Sequence, residues 1–99
     1  MIGALVEELR PLIETRDQLA REAEAPYSIQ IGNIIREQCR DANRIDLLLD
    51  SMLSFCFDDR ILALYKKLCR YYFNINPEAT ASHIYAYRDM WDDDYKPEL

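Results

Sequence analysis

Glycine is nearly missing from this chain: only Gly3 and Gly32 occur in 99 residues. A turn-rich β fold needs positive φ at many turns, so two glycines argue against one. Two glycines also cannot build a dinucleotide-binding GxGxxG loop or a P-loop. Histidine is scarcer still, with His83 alone. Histidine-rich metal motifs are therefore absent, and so are an EF-hand loop and a glutamate-rich di-metal signature. No serine or cysteine nucleophile pairs with His83 and a third group in any recognisable spacing. His83 itself reads as a structural histidine, partly exposed or hydrogen-bonded.

Long apolar runs are missing too. The best stretch, Leu47 to Phe57, is broken by Asp50, Ser51 and Ser54. It falls short of the ~18–20 residues that span a bilayer. The opening MIGALVEELR has no basic n-region, and Glu7 and Glu8 interrupt it, so no secretory signal is expected. The three cysteines, Cys39, Cys56 and Cys69, are odd in number and form no CxxC. Buried thiols in a reducing cytoplasm are the expectation, rather than disulfides or a zinc knuckle.

What the chain does have is helical periodicity. Apolar residues make up 49% of it and aromatics 11%, enough to give one domain a core. Ile2, Leu5, Leu9, Leu12, Arg16, Leu19 and Ala23 step by three and four, with Val6, Ile13 and Ala20 beside them. That is the seam of a bundle or coiled-coil helix over residues 2–24. Pro11 predicts a kink or break near Arg10. Arg16 on the seam implies incomplete burial there or a carboxylate partner. Ala25-Pro26-Tyr27-Ser28 reads as punctuation that ends this helix.

Ile31, Ile35, Cys39, Ala42, Ile45, Leu49, Met52 and Cys56 continue the same spacing. Residues 29–56 are thus one long helix, or two with a break near 41–43 and Asp41 or Asn43 as the new N-cap. Asp58 is placed to cap a helix over 58–74, with Asp59 adding charge at its positive end. Asn76, Pro77 and Glu78 open a last helix over 77–91. Residues 92–99 read as an acidic tail. The fold class is all-α: one small bundle of four or five helices with short connections, spanning 1–91.

Charge sharpens the functional reading. The net charge is −6. Asp89, Asp92, Asp93, Asp94 and Glu98 against Lys96 place −4 of it in the last eleven residues. The helical body is nearly balanced. On a helix, Arg36, Arg40 and Arg44 would form one basic ridge, with Glu37 and Asp41 as i,i+3 partners. Lys66, Lys67 and Arg70, followed by Tyr71 and Tyr72, form a second. Glu7, Glu14, Asp17 and Glu24 on the first helix complement either ridge, within a chain or across a dimer. Tyr85 and Tyr87 point about 200° apart on a helix, so both cannot be core. Surplus Tyr, Trp and Arg are the residue types of interaction hot spots.

The stretch Leu64–Trp91 resembles the C-terminal part of small phage or mobile-element proteins; it carries no motif that assigns a role to a residue. The leading expectation is a non-enzymatic helical protein–protein interaction module, or a small subunit of an assembly. No cofactor or metal is expected, and the partner is a second copy or another protein. Arg36, Arg40, Arg44, Lys66, Lys67, Arg70, Tyr71, Tyr85 and Trp91 are the candidate interaction residues. Two alternatives stand beside it. One is a nucleic-acid-binding accessory protein using the basic ridges, with Leu62–Trp91 as a helix-turn-helix. The other is an acidic inhibitor or nucleic-acid mimic that blocks a basic partner.

Overall fold

The computed structural model describes residues 2–91, with side chains described from Thr15 to Trp91. The expected tail over 92–99 lies outside the described residues. So do the side chains of the seam from Ile2 to Ile13.

Among the described residues four helices form: α1 (Ile2–Arg36), α2 (Ala42–Leu53), α3 (Asp59–Phe73) and α4 (Pro77–Trp91). They pack as an all-α bundle with α3 at its centre, touching each of the other three. Contacts between side chains fix the directions. Glu24 meets Arg60 at 3.4 Å and Tyr71 reaches Cys39, so α1 runs parallel to α3. His83 meets Asp46 and Trp91 meets Leu53, so α4 runs parallel to α2. Sequence neighbours are antiparallel, as short connections require.

The core holds Ala20, Ile31 and Ile34 of α1 and Ile45, Leu48, Leu49 and Met52 of α2. Ile61, Tyr65, Leu68, Cys69 and Tyr72 of α3 complete it, with Cys56 between helices. From α4 only Thr80 is fully buried.

The expected break at Ala25–Ser28 is not there: α1 continues through Pro26. It also continues through Pro11 without a break. Proline removes one helix hydrogen bond and crowds the preceding turn, at about 3 kcal/mol. Packing on either side of Pro26 outweighs that. Ala20 and Ile31 are fully buried before and after it. Tyr27, next to Pro26, donates to the Ser51 carbonyl at 3.2 Å and lies against the Phe55 ring. Pro26 itself is exposed, so its ring displaces no neighbour in the core.

Residues 29–56 are two helices, with the break at residues 37–41. Asp41 takes the cap, accepting from the Arg44 backbone N–H. The stop signal of α1 is a Schellman motif. Cys39 N–H donates to Ile34 O at 2.9 Å, and Gln38 N–H to Ile35 O at 3.2 Å. Gln38 sits at φ 54°, where glycine is usual. With glutamine in place of glycine, this stop carries no residue-type signature.

The later boundaries fall close to expectation. Asp58 accepts from the Arg60 N–H at 2.9 Å and caps α3. Asn76 accepts from the Ala79 N–H at 3.0 Å and caps α4.

Candidate functional site

An open groove of about 440 Å³ lies between α3 and α4. Leu62, Tyr65, Cys69 and Phe73 come from α3; Thr80, Ile84 and Tyr87 come from α4. These positions follow the i, i+3, i+4 rule on each helix, so two apolar stripes meet along one seam. The stripes do not close over each other. Phe73 stays 56% exposed and Ile84 37% exposed. Both fall on the spacing of the apolar stripes of their helices.

Three cations edge this apolar floor: Lys66 and Arg70 of α3 and Arg88 of α4. Lys66 and Arg70 are one turn apart, so they share a side. Among the described residues, neither has a carboxylate within salt-bridge distance. An apolar floor with a cationic edge suits an amphipathic partner of opposite charge.

The predicted interaction residues divide sharply. Lys66 and Arg70 line the groove, whereas Lys67 is exposed on α3 outside it. Tyr85 is 54% exposed on α4 and also lies outside the groove lining. The Arg36–Arg40–Arg44 ridge does not form, because the helix ends at Arg36 and restarts at Ala42. Arg36 donates to the Asn33 side chain. Arg40 is exposed in the connection. Arg44 reaches back to Glu37 at 3.5 Å, not to an i,i+3 partner.

Tyr71 and Trp91 are half-buried clamps. Tyr71 Oη donates to Cys39 O at 2.6 Å, and Trp91 Nε1 donates to Leu53 O at 2.7 Å. Each supplies a donor to a carbonyl at or beyond a helix C-terminus, where intrahelical partners run out. Part of the aromatic surplus is therefore spent tying helices together. Among the described residues, Arg16 finds aromatic faces and not a carboxylate. Its guanidinium lies 4.3 Å from the Phe57 ring centre and 5.3 Å from that of Trp91.

A second polar cluster joins α2, α3 and α4. His83 Nε2 lies 2.8 Å from Asp46, and Nδ1 lies 3.6 Å from Asp50. Tyr65 Oη donates to His83 O at 2.7 Å. Tyr72 Oη is buried without a hydrogen-bond partner among the described residues. Burial, then the nearby Asp46 carboxylate, pushes its hydroxyl up to about 12. The i,i+4 pair Asp46/Asp50 was the available sequence signal, but only the fold brings it to His83. Burial also raises the thiols, Cys56 to about 12 and Cys69 to about 11. Both remain protonated at neutral pH, which suits packing and not nucleophilic attack. Among the described residues, no group of His, Cys, Asp and Glu side chains is arranged to hold a metal ion. Nor is any described helix long and apolar enough to cross a membrane.

The supposed helix-turn-helix is an antiparallel hairpin. Tyr65 lies against Tyr87 with ring centres 6.2 Å apart, and Phe57 against Trp91 at 5.9 Å. Helices paired along their length do not present the near-perpendicular recognition helix of a DNA-binding pair. No protein-family model, no curated protein and no solved structure matches the chain.

Proposed function

We propose that this chain is a non-enzymatic helical interaction module whose α3/α4 groove docks an acidic amphipathic helix. The observation that carries the reading is the groove itself. It combines exposed Phe73 and Ile84 with Lys66 and Arg70 along its α3 side. Apolar side chains of a partner helix would fill the floor, and its carboxylates would meet the cations. Helix-in-groove recognition works in this way, through anchors at i, i+3, i+4 and i+7.

The test is an affinity pull-down from the native host at two salt concentrations. The bait is the wild-type chain beside Lys66→Glu/Arg70→Glu. A docked partner is lost from the variant and weakened by salt. Recovery of the same proteins by both baits would sink the proposal.

A nucleic-acid reading keeps one observation in its favour: Lys66, Lys67 and Arg70 are all exposed on α3 near exposed Phe73. A gel shift at ~50 mM salt decides it, since phosphate contacts are strongest at low salt.

A further inference from the structure

The bundle is uneven in length. α2, α3 and α4 have 12, 15 and 15 residues, whereas α1 has 35. At 1.5 Å per residue α1 is roughly 52 Å long and its neighbours roughly 18–23 Å. Arg16 of α1 lies over Phe57 and Trp91 at one end of the bundle. Because α1 is parallel to α3, residues 2–15 continue past that end, roughly 21 Å of helix. This is the segment with the regular 3-4 seam Ile2, Leu5, Leu9 and Leu12.

We infer that the occupant of the α3/α4 groove is this N-terminal segment of α1 from a second copy of the chain. The inference rests on the groove reading above and names the partner for it. Three observations support it. The seam from Ile2 to Leu12 rises through ten residue steps, roughly 15 Å, and the α3 side of the groove from Leu62 to Phe73 through eleven, roughly 17 Å. Charge is complementary: Glu7, Glu8 and Glu14 outweigh Arg10, against the cationic side formed by Lys66 and Arg70. The segment cannot come from the same chain. A continuous helix held beside α3 by Ala20, Ile31 and Ile34 leaves at the Phe57–Trp91 end and does not turn back between α3 and α4.

Exchange is then reciprocal, each copy giving one helix and one groove, which closes a two-fold dimer. Pairing α1 with α1 would instead set the acidic segments against each other.

The experiment is sedimentation equilibrium of the full chain and three variants, with circular dichroism as the fold control. Wild type is expected at twice the 11.7 kDa chain mass. Lys66→Glu/Arg70→Glu changes two exposed side chains, and Glu7→Lys/Glu14→Lys changes the other partner. Each is expected to raise the dimer dissociation constant at least about tenfold, and the two combined to restore it. A wild type that stays monomeric at high concentration overturns the inference, as does a dimer indifferent to the groove charges. A monomer that still captures a partner in a groove-dependent pull-down overturns self-docking and leaves the docking function standing. A pull-down indifferent to the groove removes the docking function itself.

Discussion

Pro26→Ala should make this protein more stable. Pro26 is exposed inside α1, so an alanine there meets no neighbour and loses no core contact. The gain has two parts. The new N–H can donate to the carbonyl four residues back, and the ring no longer crowds the preceding turn. Together these amount to about 3 kcal/mol in a helix interior. Against that, alanine frees the unfolded chain, at about 0.4–1 kcal/mol. The balance is about 2 kcal/mol in favour of the folded state. For a domain of this size that corresponds to a rise in Tm of roughly 8–16 °C. Thermal and urea unfolding followed at 222 nm measure it. If α1 instead ended at Ala25–Ser28, Pro26 would lie in a turn that favours it. The substitution would then be neutral or destabilising, and that result would refute a continuous α1.

Other perturbations test other parts of the bundle. Asp58→Ala removes the α3 cap and should cost about 1 kcal/mol in urea unfolding. The side-chain hydrogen bond from Arg60 holds the Asp58 carboxyl below its ordinary value. Its contribution is therefore complete above the unfolded pKa and is lost as pH falls through the folded one. Wild type and Asp58→Ala should thus converge in stability well below pH 4, and a constant gap would contradict the assignment. In native thiol labelling, half-buried Cys39 should react well before buried Cys56 and Cys69, with all three equal in denaturant. Arg16→Ala removes the cation over Phe57 and Trp91 and should cost about 0.5–1 kcal/mol. Trp91 is the only tryptophan, so its emission should change in the folded state; an unchanged spectrum counts against the contact.

Local signals in the sequence were reliable where the chemistry is local. Asp58 and Asn76 cap the helices they precede because a short side-chain acceptor at that position satisfies a free N–H whatever surrounds it. The end of α1 was harder to read, since Gln38 takes a backbone conformation usually marked by glycine. Pro26 misled because its penalty is local while the packing that outweighs it comes from α2 and α3. The same limit applied to the site. Lys66 and Arg70 were legible as one exposed side of α3, whereas the Arg36–Arg44 ridge needed a helix that does not exist. Phe73 and Ile84 carry the same periodicity as core residues. Only the incomplete closure of α3 over α4 leaves them lining a groove. His83 meets Asp46 across 37 positions, a distance that no spacing rule reaches.

The pairing of α1 with α3 also has a consequence during synthesis. α1 is the first helix to be made, yet its main packing partner in the bundle is complete only at Phe73. At ~5–20 residues per second, the ribosome takes roughly 2–7 s to get from Arg36 to Phe73. During that interval Ile31 and Ile34 have no α3 of their own to cover them. Neighbouring nascent chains on the same message are, for those seconds, the nearest source of one.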